Sequence, residues 1–298
     1  MDRRTFTLFL PLCLLAWSVV GCASARIGGR EQAAFSFIQL SDPQLGFMSE
    51  DNDVFTEDTL VLDEVIRHIN RLHPAFVLVT GDMTNHNSNQ RQVEAYRKVI
   101  ARIDPSVPVH HLPGNHDIGE ACLKRRVARF EEQYGPSTFC FRHNGCAIIG
   151  INSCAIYAAN PAKGEPSAEA AEIAEEQFSW LTKQLKESAA CRARLVFGHY
   201  PVFVRSIDEK RSSNNFIPEE RIRYWNLFKQ YKVNAYGCGH THYPYETSYE
   251  GVDAVTSGAF ASPLGKGYRG AVIWHVSETG EVTHRYIPYK EFESLQSL

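Results

Sequence analysis

Apolar residues along this chain fall into short, nearly unbroken runs that alternate with stretches of helical spacing. Phe35–Leu40 is one such run and stops at Ser41-Asp42, the pattern of a buried strand. Glu57–Leu72 then sets Leu62, Val65, Ile66, Ile69 and Leu72 on one stripe, which predicts an amphipathic helix. The cycle repeats. Ala75–Thr80 reads as a strand ending at Gly81-Asp82, and Gln90–Ile103 as a helix through Val93, Tyr96, Ile100 and Ile103. Val107–Leu112 reads as a strand ending at Gly114-Asn115-His116-Asp117, with a helix near Leu123–Tyr134 after it. Thr138–His143 and Cys146–Asn152 read as a hairpin about Asn144-Gly145, a turn that sets His143 opposite Cys146.

The second half keeps this style. Ala168–Ser188 reads as a helix, Ala193–Phe197 as a strand ending at Gly198-His199, and Glu219–Tyr231 as a helix. Val233–Gly237 reads as a strand ending at Gly239-His240-Thr241-His242. Tyr245–Tyr249, Val252–Ser257, Gly270–Val276 and Val282–Ile287 read as mostly antiparallel strands. Strands that alternate with helices predict an α/β fold of βαβ units with helices outside the sheets. Ile156–Ser167 and Arg205–Pro218 are long for structureless connections, a length that often marks functional loops.

Composition changes this picture little. The chain has 298 residues, 44% hydrophobic and 22% charged, with a formal net charge of −3. That is an ordinary globular balance without the clustered positive charge of a nucleic-acid-binding surface. The N-terminus is read apart from the fold. Arg3-Arg4 precedes an apolar run from Leu8 to Val20, too short for an ordinary transmembrane helix and right for a signal peptide over residues 1–21. Val19-Val20-Gly21-Cys22 resembles a bacterial lipobox, which implies a lipid on Cys22, a tether over residues 22–34 and anchoring to a membrane of the cell envelope. Asp2-Arg3-Arg4-Thr5-Phe6 resembles a twin-arginine export signal. Of eight cysteines, six lie beyond Cys22, where an oxidising compartment permits pairing that the sequence does not assign.

Five segments share one property: an Asp, Asn, Gln or His directly follows an apolar strand and neighbours a Gly or Pro. They are Asp42-Pro43-Gln44, Gly81-Asp82, Gly114-Asn115-His116-Asp117, Gly198-His199 and Gly239-His240-Thr241-His242. In open α/β sheets ligands bind outside the carboxyl ends of strands, where these segments fall. Carboxylate oxygen with imidazole nitrogen suits borderline divalent metals such as zinc, iron or manganese. His86, His110, His111, His143 and His284 lie outside the set and are expected to pack. Glu169, Glu172, Glu175 and Glu176 are expected to form a solvated helix face. Tyr243, Tyr245 and Tyr268 are candidates either for a substrate pocket or for packing.

In order and residue type, the five segments resemble the signature motifs of the calcineurin-like metallophosphoesterase family. The resemblance runs from about Phe35 to Tyr286, within a domain placed at residues 35–290. Ser41-Asp42-Pro43-Gln44-Leu45-Gly46, Gly114-Asn115-His116-Asp117-Ile118-Gly119, Ser206-Ile207-Asp208-Glu209 and His284-Arg285-Tyr286 are similar to a branch that includes a mammalian serine/threonine phosphatase. It implies a four-layer α-β-β-α sandwich with two divalent metal ions (Mn, Fe or Zn) at one rim. Asp42, Asp82 and His242 would hold the first ion, Asp82 would bridge, and Asn115, His199 and His240 would complete the second. Gln44 stands where most of the family has His, as an amide ligand or a shaper of the first site. His116 would protonate the leaving oxygen, with Asn85 and Asp117 supporting it from behind. Two such ions roughly 3.5–4 Å apart clamp the attacking and leaving oxygens and make water nucleophilic near neutral pH, while Asn115 helps offset phosphoryl charge.

The function implied is hydrolysis of phosphate esters, as a phosphomonoesterase on phosphoproteins or small esters. A phosphodiesterase acting on nucleotides or lipid head groups, and a non-catalytic metal-binding scaffold, are the alternatives.

Overall fold

The computed structural model describes residues 32–47, 55–260 and 268–298; the signal segment and Cys22 lie outside the described residues. Two sheets form the frame. The first has five strands and the second six.

In the first sheet, β1 (Phe35–Leu40), β2 (Val77–Thr80) and β3 (Val109–Leu112) run parallel, with Ile38 beside Val77 and Val79 beside His111. The C-terminal strands β10 (Gly270–Val276) and β11 (Val282–Pro288) add to β1 antiparallel, pairing Phe37 with Trp274. The helices between them are α1 (Thr56–Leu72), α2 (Gln90–Ile100), α3 (Asn115–Ile118) and α4 (Lys124–Tyr134). The second sheet opens with the hairpin β4 (Phe139–His143) and β5 (Cys146–Gly150), in which His143 faces Cys146 as the turn predicts. The helices α5 (Ser153–Ala159), α6 (Ala168–Glu187) and α7 (Pro218–Gln230) alternate with β6 (Ala193–Phe197) and β7 (Ala235–Cys238). The strands β8 (Tyr245–Tyr249) and β9 (Val252–Thr256) follow, and β5, β6, β7 and β9 are mutually parallel.

Period-two alternation builds the layers. In β1, Phe35 and Phe37 face an inter-sheet core with Phe76, Leu78, Ile148, Leu195, Phe197 and Trp274. Phe37 lies 6.0 Å from Trp274, nearly parallel at 3°, and 4.5 Å from Phe76. Ile38, Leu40, Val77 and Val79 belong instead to the core that includes the predicted α1 stripe, Leu62 to Leu72. Ile149, Val196 and Tyr236 of the second sheet likewise join the helix-side core, with Leu181 and Leu185 of α6 and Trp225 and Phe228 of α7. This is a helix–sheet–sheet–helix sandwich. The helices start where local chemistry allows: the Asn89 and Ser167 side chains cap α2 and α6, and Pro218 opens α7. Gln39 is a polar tie inside the inter-sheet core and is fully buried. Its amide donates to Thr80 Oγ1 (3.1 Å) and the Cys238 carbonyl (2.9 Å) and accepts from Trp274 Nε1 (3.0 Å), linking both sheets.

Several expectations need correction. The loop placed at Ile156–Ser167 begins inside α5, whose seven residues are nearly all buried. A helix with no solvent face carries no amphipathic stripe for the sequence to reveal. The tail strands pair mostly antiparallel as expected, with the β7–β9 pairing parallel. A 3₁₀ turn at Tyr289–Ser294 was not expected, and it docks Phe292 into the core. The cysteines Cys122, Cys140, Cys146, Cys154, Cys191 and Cys238 are free thiols.

Candidate functional site

The segments after β1, β2, β3, β6 and β7 converge on one rim. Convergence is built into the backbone. Asp42 (φ 50°), Gln44 (φ 35°), Asp82 (φ 54°), His240 (φ 69°) and His242 (φ 57°) all occupy the left-handed region. For an L-residue with a side chain that conformation costs roughly 1 kcal/mol or more, and such residues cluster at functional sites. Two glycines permit the approach. A Cβ on Gly81, itself at φ 97°, would lie 2.8 Å from the Gly114 Cα, and a Cβ on Gly114 would run into the Asp82 carboxylate.

Two groups of possible metal ligands result. Asp42, Asp82 and His242 form one, Asp82, His199 and His240 the other, each with ligand atoms within 4.8 Å of one another. Asp82 belongs to both. His242 Nε2 lies 3.4 Å from Asp42 Oδ1, and His199 Nε2 lies 3.4 Å from Asp82 Oδ2. The Asn115 Oδ1 sits 3.0 Å from His199 Nε2, held there by its own amide donating to Glu120 Oε1 (2.9 Å). Asp42 Oδ1 and Gln44 Oε1 are buried and accept no hydrogen bond from the described residues. An unsatisfied buried oxygen is costly; two of them, with Asp42 Oδ1 facing the His242 imidazole, fit a cation that completes their coordination.

The imidazoles are oriented by carbonyls. His199 Nδ1 donates to Thr80 O (2.8 Å) and His240 Nε2 to Ser213 O (3.1 Å). This leaves His199 Nε2 and His240 Nδ1, 3.2 Å apart, as the ring nitrogens that face the centre, the first beside Asn115 Oδ1 and Asp82 Oδ2. His116 donates Nδ1–H to the Asn85 carbonyl (2.8 Å) and its backbone N–H to Asp82 Oδ1 (2.9 Å). Asn85 thus orients His116 through its main chain, while its side chain accepts from Gln44 Nε2 (3.3 Å). That contact fixes which end of the Gln44 amide is left for the centre. Asp117 points away and accepts from the backbone N–H groups of Asp82 (2.7 Å), Met83 (3.0 Å) and Gly114 (2.8 Å).

The electrostatics follow this geometry. Burial works against ionisation of Asp42, but the His242 and His199 charges outweigh it and leave the carboxyl below its ordinary value. Burial likewise opposes Asp82, and His199 with His116 holds it well below the usual range. Burial disfavours the His199 imidazolium, yet Asp82 and Asp42 raise it to about 10. Burial and the His199 charge push His240 down to about 4. Burial and the neighbouring Asp82 raise Asp117 to about 8, against the backbone donors that favour its charged form. Histidine charges therefore offset the two buried carboxylates.

The rim therefore holds Asp42, Gln44, Asp82, Asn85, Asn115, His116, Asp117, His199, His240 and His242 together. Glu120, the Ser213 and Thr80 carbonyls, and Ser153 Oγ, which accepts from His199 N–H (2.7 Å), also shape it without having been singled out. Backbone carbonyls leave no residue-type signal, and Glu120 follows Gly119 in no periodic pattern. Four of the other histidines pack as expected: His110 stacks on Phe141 at 4.4 Å, His111 bonds Tyr96 Oη at 3.0 Å, His143 lies 4.6 Å from Phe35 and His284 5.0 Å from Trp274; His86, also expected to pack, is exposed beside Asn85.

The family model for calcineurin-like phosphoesterases matches residues 35–244. Among curated relatives, the serine/threonine-protein phosphatase CPPED1 of Bos taurus is 29% identical over 86% of this chain and 84% of its own length. The Homo sapiens protein of that name is 28% identical over 86% and 84%. Among solved structures, a dimetal phosphatase from Danio rerio superposes with a TM-score of 0.61 at 15% identity, covering 86% of this chain and 99% of that one. A purple acid phosphatase from yellow lupin seeds gives 0.64 at 15% identity, over 88% of this chain and 53% of its own. With two sheets, the ligand groups at their shared rim and a match over most of its length, this chain belongs to the calcineurin-like phosphoesterase family of metal-dependent hydrolases acting on phosphate esters.

Proposed function

We propose that the rim is a dinuclear centre catalysing phosphomonoester hydrolysis, with phosphoproteins or small phosphate esters as substrates. The observation that carries this is Asp82, shared by two ligand groups drawn from both sheets. Asp42, Asp82, His242 and the Gln44 amide oxygen would hold one ion; Asp82, Asn115, His199 and His240 would hold the other. The mixed oxygen and nitrogen donors suit manganese, iron or zinc. When bound, such ions supply Lewis acidity for an attacking water and for the phosphoryl oxygens. The chain's own residues do the rest. Thr80, Ser213 and Glu120 keep the ligands aimed, and the Asn115 amide would help offset charge on the phosphoryl oxygens. His116, with Nδ1 committed to Asn85, is left with Nε2 to deliver a proton to the departing oxygen.

The monoester preference draws on the relatives named as serine/threonine-protein phosphatases. The sequence adds a location: export, lipidation at Cys22 and anchoring in a bacterial envelope.

The test is hydrolysis of p-nitrophenyl phosphate and its bis-ester after chelation and resupply of manganese, iron or zinc. Restored turnover, faster on the monoester, is expected. Asp82→Asn should abolish it and lower bound metal. His116→Ala should reduce kcat by about 10²–10⁴-fold with metal content unchanged. A faster bis-ester would make the enzyme a diesterase; no turnover with two ions bound would leave a binding protein.

A further inference from the structure

Beside the rim lies a cavity of about 320 Å³ that the chemistry above does not use. One wall is the loop from Val204 to Asn215; the other is Thr241, Tyr243 and Tyr245, which directly follow and separate the candidate ligands His240 and His242. The two walls meet at the centre itself, since Ser213 of the loop accepts the His240 Nε2 proton.

Two features make this a built site. The first is the loop's framework. Arg221, fully buried on α7, has no carboxylate partner among the described residues. Its guanidinium donates instead to the carbonyls of Phe216 (2.7 Å), Ile207 (3.2 Å), Glu209 and Lys210 (3.2 Å), and to Asn215 Oδ1 (3.1 Å). A buried guanidinium is tolerated only when its donors are satisfied, and here satisfying them fixes the loop. The second is charge. The cavity is lined by Arg205, Lys210 and Glu209. Glu209 is committed to the loop: it accepts from the N–H groups of Val204 (2.8 Å), Arg205 (2.9 Å) and Ser206 (3.4 Å) and from the Asn215 amide. Arg205 lies over the Tyr245 ring at 5.3 Å and donates to its hydroxyl (3.3 Å); it forms no ion pair with a described carboxylate, and the nearby Glu209 charge offsets only part of the positive charge of Arg205 and Lys210. Lys210 makes no ion pair with a described residue either.

We propose that this cavity is a substrate subsite beside the centre and selects substrates carrying a second anionic group, a carboxylate or a phosphate, near the scissile phosphate ester. The inference rests on the phosphatase reading and names its substrate class. Arg205 and Lys210 receive the second anion, and Tyr243 and Tyr245 flank the chain that carries it.

The experiment compares matched substrates on the metal-loaded enzyme. A phosphoserine peptide with flanking glutamates is set against the same peptide with glutamines. A glycol bisphosphate is set against the monophosphate. Lower KM for the anionic member of a pair is expected, and which pair shows it distinguishes a carboxylate from a phosphate. Arg205→Ala and Lys210→Ala should each raise that KM by about tenfold, the weight of one charge-assisted contact, while kcat on p-nitrophenyl phosphate stays unchanged. Equal KM within both pairs, or a preference that survives both substitutions, overturns the subsite. If p-nitrophenyl phosphate itself is not hydrolysed, the phosphatase reading fails separately. Calorimetric binding of the same peptides then decides: a glutamate preference lost in the variants upholds the subsite, and no preference removes it.

Discussion

Asp117 shows how much of the site is held by groups that never face its centre. Its carboxylate collects the backbone N–H groups of Asp82, Met83 and Gly114, which locks the turn after β2 against the turn after β3. An amide at this position would set an NH₂ group against at least one of those donors. Asp117→Asn is therefore expected to cost roughly 1–3 kcal/mol and Asp117→Ala more, because buried donors lose their acceptor. Urea unfolding of the metal-free protein measures it, and unchanged midpoints in both variants would refute this account. At this scale the sequence was informative about residue type. Asp, Asn and His after strand ends, beside glycines, point to one centre before any coordinate is known. It was silent about Glu120, Ser213 and Thr80, which act through a partner far along the chain or through main-chain oxygen.

Elements were legible where their pattern was long. The α1 stripe is buried as its spacing predicts, and β6 spans the predicted residues. Short or uniformly buried pieces escaped: α3 has four residues and α5 has no exposed stripe. The Glu-rich face of α6 is solvated as expected and also carries surface ion pairs. Its Glu172 pairs with Lys124 at 2.5 Å and its Glu175 with Arg223 of α7. These exposed pairs contribute little individually. The loop between β6 and α7 belongs to this scale too, because one side chain organises it. Arg221→Ala should destabilise the fold by about 3 kcal/mol or more through several unsatisfied acceptors. Arg221→Lys, with three donors on a flexible stem, should recover only part of that loss. Thermal unfolding of both variants checks it; a wild-type midpoint for Arg221→Ala would show that the loop does not depend on the guanidinium.

The whole molecule is a sandwich whose working rim lies at the strand ends, and the chain ahead of it bears on where it works. No helix among the described residues is long and apolar enough to cross a membrane. In the proposed reading, membrane attachment rests on the lipidated Cys22. Cys22→Ser should move the protein from the membrane to the soluble fraction of lysed cells. Continued sedimentation with membranes, after a high-salt wash, would rule out the lipid anchor.

The candidate ligands come from both sheets: Asp42, Gln44, Asp82 and Asn115 from the first, His199, His240 and His242 from the second. Distances within either group are fixed by its own ladder of hydrogen bonds. Distances between the groups are set by the thickness and alignment of the aromatic layer, with Gln39 as an amide tying Thr80 to Cys238 just beneath. The molecule thus behaves like a calliper with two rigid jaws and one adjustable gap. A change of ring size at Phe37, Phe197 or Trp274, buried far from any substrate, would reset the gap. It would retune every contact across the centre together while leaving each jaw intact.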